Sequence, residues 1–165
     1  MTFERVPPTL THYAVDARTL ALTREFLQER GEHGLEGVVL WLGWPLDEHH
    51  AEILAPYAPE QVGFKGEEGV AVQVTDEGLS GLISALPPGM FVLCRVHSHP
   101  SEAYHSELDD TNMIISHPGA ISIVVPFYAR SPIVLPDCSI NELQYGSGWH
   151  ELSRAEILER FEVHA

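Results

Sequence analysis

Phe91 to Asp110 reads FVLCRVHSHPSEAYHSELDD, and the architecture follows from where its histidines fall. Phe91 to Val96 is apolar on both alternating sets except at Arg95, the pattern of a central strand covered on both faces. His97 and His99 are two residues apart, so in a strand both imidazoles leave the same face of the sheet. Pro100 has no N–H to give a ladder, which predicts that the chain leaves the sheet there. Ser106 and Asp109 stand three apart and would share one face if a helix begins at Ser106. Two neutral imidazoles and a carboxylate, converging from a strand end and a helix start, make His97, His99 and Asp109 a candidate three-ligand zinc site. Its fourth position would stay open for water, as in catalytic rather than structural zinc.

Outward from this stretch, helices and strands mix without a strict βαβ order or any repeat. Ala17 to Arg30 predicts an amphipathic helix with Asp16 as N-cap, apolar positions Leu20, Leu22, Phe26 and Leu27, and Gly31 as its stop. Residues 1–13 are expected to be extended or irregular, because Pro7 and Pro8 block a helix. Glu36 to Trp44 (EGVVLWLGW) is an apolar strand, Pro45 to His50 a polar turn, and Ala51 to Ala58 a second strand interrupted by Pro56. Val70 to Val74 is a short β run, followed by a helix from Asp76 to Leu86 that Pro87-Pro88-Gly89 breaks. After the central strand come a helix over Glu107 to Ser116, a strand over Ala120 to Pro126 and a last strand over Asn141 to Tyr145. Ser153 caps a closing helix to Phe161, with Glu156 three residues on. The mixture predicts an α/β fold with a mixed β-sheet flanked by helices.

A chain of 165 residues is long enough to bury its own core and is expected to be one domain, 1–165. It carries 24 acidic and 9 basic residues, a net charge of −15. Such a surface repels phosphate backbones and anionic lipid, so no nucleic acid and no membrane is expected as partner. No apolar run is as long as a membrane span, and MTFERVPPTL lacks the order of a signal peptide, which predicts a cytoplasmic protein. Cys94 and Cys138 belong to no Cys-x-x-Cys pair, so no disulfide framework is expected. His12, His33, His49, His50, His117, His150 and His164 have no spacing partner and are expected at the surface.

His97-Ser98-His99-Pro100, followed by Ser106-Glu107-Leu108-Asp109, resembles the JAMM motif of the Jab/MPN metalloprotease family. That family also has a catalytic glutamate far upstream, opening an apolar strand that ends in glycine. Glu36-Gly37-Val38-Val39-Leu40-Trp41-Leu42-Gly43 is similar to that element in the spacing from acid to final glycine. The resemblance runs through three separated segments, from Leu35 to about Pro126. It implies a Jab/MPN, cytidine-deaminase-like fold, with zinc (Zn2+) held by His97, His99 and Asp109. Zinc lowers the pKa of bound water to about 7. By the same resemblance Glu36 takes the water proton and passes it to the leaving amine, and Ser106 donates to the oxyanion. Glu32 is the nearest rival to Glu36. The gap from Pro100 to Ser106 is one residue shorter than in most members, which keeps Asp110 as an alternative to Asp109. Val39 stands where many members have glycine.

The resemblance implies an isopeptidase that cuts the amide bond after the C-terminal glycine of ubiquitin or a ubiquitin-like protein. The short chain and the tail Trp149-His150-Glu151-Leu152 look most like small bacterial members. Those are often encoded beside activating and conjugating enzymes and a ubiquitin-like protein, antiphage defence systems included. Two other readings stay open: a metalloprotease that processes a sulfur-carrier or other small protein, and a non-catalytic MPN scaffold. Other zinc patterns fail. Arg154 stands where a His-Glu-x-x-His helix starting at His150 needs its second histidine. The deaminase pattern needs Pro-Cys-x-x-Cys, whereas Asp137 precedes Cys138 and no partner cysteine follows.

Overall fold

The computed structural model describes residues 9–106 and 117–165. In chain order the elements are β1 (His12–Asp16), α1 (Ala17–Glu32), β2 (Val38–Pro45), β3 (His50–Tyr57), β4 (Gln61–Gly66) and β5 (Gly69–Val74). They continue with α2 (Asp76–Ala85), β6 (Phe91–Ser98), β7 (Ile121–Val125), β8 (Ser139–Gln144), β9 (Gly148–Glu151), α3 (Arg154–Arg160) and β10 (Phe161–His164). The helix expected over Glu107 to Ser116 lies outside the described residues.

The fold is mixed α/β. Eight strands form one sheet in the order β10-β1-β3-β2-β6-β7-β8-β9, while β4 and β5 make a separate antiparallel hairpin. The large sheet is mixed: β6 runs antiparallel to β2 but parallel to β7, and β1 runs parallel to both β3 and β10. β6 is interior, as its two-sided apolar pattern requires, with Leu93, Cys94 and Val96 all buried.

One face of the sheet carries Val39, Trp41, Val96, Ile121, Ile123 and Ile140, covered by Leu27 of α1 and Ile157 of α3. Fully burying one such side chain contributes about 1.5–3 kcal/mol, so this cluster dominates the stability of the sheet. Trp41 keeps its polar end satisfied by donating Nε1–H to Thr23 Oγ1 at 2.9 Å inside that core. The opposite face carries Val38, Leu40 and Leu42, covered by Val72 of the hairpin and Leu82 of α2. β2 lies between β3 and β6 and shifts register against both near Leu42. A Cβ on Gly43 would come 1.9 Å from the Glu52 carbonyl oxygen, so only glycine lets β3 approach there.

Local signals place several ends correctly. Asp16 Oδ1 accepts the Thr19 N–H at 2.7 Å and opens α1, and Ser153 with Glu156 closes a reciprocal capping box on α3. Five readings change. The strand expected last, over Asn141 to Tyr145, is β8 (Ser139–Gln144), and β9 and β10 follow it. α1 runs past Gly31 to Glu32, because Gly31 serves packing rather than termination. Residues 12–16 are a strand, with Tyr13 and Val15 buried between β3 and β10. β3 continues through Pro56, which is tolerated because β1 pairs with residues 50–53 and, among the described residues, no strand pairs with Pro56 on that side of β3. The closing helix stops at Arg160, and Phe161 opens β10.

Candidate active site

The end of β6 positions both histidines. Arg95 pairs across from Leu40 and His97 from Val38, so Arg95 and His97 point to the face that the hairpin covers. His99 follows one residue after the strand ends, and its N–H donates to the Val125 carbonyl at 2.9 Å. The imidazoles of His97 and His99 are buried, at 1% and 4% exposure, with ring centroids 5.1 Å apart. Tyr104 sets its ring edge-on to His99 at 4.6 Å.

Glu36 arrives from a different direction, on the turn between α1 and β2, and is 8% exposed. Its backbone carbonyl accepts Arg30 Nε–H at 2.8 Å. Ser98, the residue between the histidines, points away from them because side chains alternate along a strand. Its Oγ accepts the Gly37 N–H at 3.0 Å, and its own N–H donates to the Gly37 carbonyl at 3.1 Å. A buried serine therefore stitches the residue after Glu36 to the residue between the histidines.

Glu36, His99 and Ser106 line one cavity of about 230 Å³, together with Arg95, Tyr104 and the hairpin wall from Glu68 to Val72. Glu36 thus meets His99, 63 residues later in the chain, and Ser106, a further seven residues on, at one place. Glu32, the rival acid, is exposed at the end of α1 and does not line the cavity. Asp109 and Asp110 lie outside the described residues, and no group of three or more His, Cys, Asp or Glu converges on one point among the described residues. What the described residues do supply fits a transition-metal ion in kind: two buried imidazoles side by side, one of which lines the same cavity as the buried carboxylate of Glu36.

Arg95 is a residue the sequence singled out without a role. It is 5% exposed, lines the cavity, and puts Nη1 3.3 Å from His97 Nδ1. The cysteines offer no competing chemistry. Burial pushes the Cys94 thiol well up, and burial followed by the nearby Asp137 charge pushes Cys138 up to about 12. Neither is a thiolate nucleophile near neutral pH.

No family model matches the chain. It is 34% identical over 150 residues to the probable metalloprotease y4jG of Sinorhizobium fredii, a match that covers 86% of this chain and 92% of that protein. The chain belongs to the family of that probable metalloprotease, and a metalloprotease works with a bound metal ion. Its fold is similar to the solution structure of protein DSY2949 from Desulfitobacterium hafniense, with a TM-score of 0.58 at 11% identity over 92% of each chain. A protein from Salinibacter ruber superposes with a TM-score of 0.54 at 15% identity, covering 92% of this chain and 91% of that one. No helix among the described residues is long and apolar enough to cross a membrane.

Proposed function

We propose that this metallopeptidase is a zinc enzyme of the Jab/MPN (JAMM) class, with the Jab/MPN fold. Its reaction is hydrolysis of the amide bond after the C-terminal glycine of a ubiquitin-like protein, released from a conjugate or a short extension. The observation that carries the reading is the meeting of Glu36, His99 and Ser106 around one cavity, the three segments of the motif. His97 and His99 would hold the zinc with Asp109. Zinc, when bound, supplies Lewis acidity at neutral pH.

The chain's own residues then have distinct tasks. Glu36 accepts a proton from the attacking water and returns it to the leaving amine; burial beside the histidines keeps it within the reaction space. Ser106 donates a hydrogen bond to the carbonyl oxygen as charge builds there, a contact whose loss costs about 10²–10³ in rate. Tyr104 and the hairpin residues Glu68 to Val72 help wall a cavity of about 230 Å³. Glycine, which lacks a side chain, suits so confined an approach. Among the described residues β5 pairs only with β4 in a two-stranded sheet, so an extended tail entering along Gly69–Val74 finds main-chain groups with which to align as a further strand.

The test is cleavage of ubiquitin-like fusions by the zinc-loaded chain, followed by mass spectrometry. Products should end in an intact glycine tail, and a bulkier residue in place of that glycine should slow cutting through lost positioning. Internal cuts in unfolded casein, without preference for a glycine tail, would leave a general metalloprotease. Full zinc content with no cleavage of any peptide would leave a scaffold.

A further inference from the structure

Beyond β7 the chain does something its sequence does not require. Phe127, Tyr128 and Ala129 have φ of 52°, 53° and 54°, a left-handed turn built from three residues that all carry a Cβ. Steric contact with the following carbonyl disfavours this conformation for each of them, and such turns persist only where their surroundings hold them. Here the turn is held by the segment that leaves β6. Tyr128 N–H donates to the His99 carbonyl at 2.9 Å, and Phe127 N–H donates to the Ser101 carbonyl at 2.9 Å.

The turn also aims the Tyr128 side chain at the segment just before Glu36. Its hydroxyl donates to the Gly34 carbonyl at 3.2 Å, two residues before Glu36. Its ring lies so close to α1 that a Cβ on Gly31 would come 2.4 Å from the Tyr128 Cβ. Tyr128 is itself buried, and burial, then the Glu36 charge, raises its pKa, so the hydroxyl remains a donor.

We propose that Tyr128 is a positioning residue that clamps the Glu36 turn to His99, a role that rests on the metallopeptidase reading above. The turn is anchored twice to the β6 side: after Glu36 by the Gly37–Ser98 pair, and before it by the Tyr128 hydroxyl on Gly34. Arg30 holds the Glu36 carbonyl as well, but from α1, which approaches from the same side as the turn. With the Tyr128 bond removed, the segment before Glu36 loses its tie to the β6 side, and the carboxylate is set less firmly against the histidines. A displacement of about 1 Å of a reacting group costs about 10² in rate.

The experiment uses the full zinc-loaded chain and the Tyr128→Phe variant. Amide hydrogen exchange at residues 34–37 should quicken at least about tenfold, because the local opening free energy falls. The rate constant kcat should drop about 10–100-fold while KM and zinc content hold. Gly31→Ala, which presses on the Tyr128 ring from α1, should reproduce this signature if Tyr128→Phe proves too mild. Ala129→Gly accepts the left-handed backbone and touches neither anchor, so exchange at residues 34–37 should match the parent protein. Unchanged exchange in both Tyr128→Phe and Gly31→Ala would overturn the clamp. So would loss of zinc or a rise in KM in step with the fall in kcat, the mark of a merely structural residue. If the parent protein cuts nothing, the metallopeptidase reading fails, and the exchange data still decide on the clamp by themselves.

Discussion

Replacing Ser98 with alanine isolates the stitch between the two halves of the site. Ser98 is 0% exposed, and its Oγ is the partner of the buried Gly37 N–H at 3.0 Å. Alanine removes the acceptor without opening a path for water, so the amide is left desolvated and unsatisfied. That costs about 1–3 kcal/mol. For a chain of this size each kcal/mol lowers Tm by about 2–4 °C, so a drop of about 2–12 °C is expected. Urea unfolding of the metal-loaded protein should show a lower midpoint with an unchanged slope, because the same surface is exposed on unfolding. Gly37 directly follows Glu36, so turnover should fall more than metal content does. A variant destabilised by less than about 0.5 kcal/mol would refute the reasoning, since it would mean that Gly37 N–H finds another partner or water.

Glu36→Gln keeps the shape of the side chain and removes the base, so fold and metal content should persist while kcat falls by about 10²–10⁴; near-parental turnover would move the role to another acid, with Glu32 tested next. His97→Ala and His99→Ala should each lose most of one zinc per chain by elemental analysis, and full zinc in both would remove the site. Asp109→Asn should cost more zinc or activity than Asp110→Asn; the opposite order would assign the third ligand to Asp110. Asp47 Oδ1 accepts the His49 N–H at 2.7 Å, and this bond, then the His50 side chain, lowers its pKa to about 2 from 3.8. A depressed carboxylate pKa contributes stability above about pH 4 that is lost as pH falls towards 2, so Asp47→Asn should flatten the acid limb of a stability profile in that window; an unchanged limb would count against the bond.

Local pattern carried a good part of this protein. The unbroken apolar run at Phe91–Val96 is enough to make β6 interior, and spacing of two is enough to turn His97 and His99 to one side. Asp16, Pro87-Pro88-Gly89 and the Ser153–Glu156 box set helix ends through bonds or breaks within a few residues, so they were legible. The acid-to-glycine spacing from Glu36 to Gly43 was legible as a resemblance, and the structure shows why residue 43 is glycine in the close approach of Glu52.

Tertiary structure alone decided the rest, because those features depend on partners far away in the chain. β1 and β10 are short and carry no turn signal between them; they exist because each completes the other's ladder across some 145 residues. The role of Ser98 depends on Gly37, 61 residues earlier, and nothing local tells a stitching serine from a filler between histidines. Arg95 broke the apolar pattern visibly, but only the packing of the hairpin shows that it lines the cavity with Glu36. Phe127-Tyr128-Ala129 contains no glycine and reads as ordinary loop. Its left-handed turn is imposed by the His99 and Ser101 carbonyls, contacts that come into being only when β6 and β7 lie side by side.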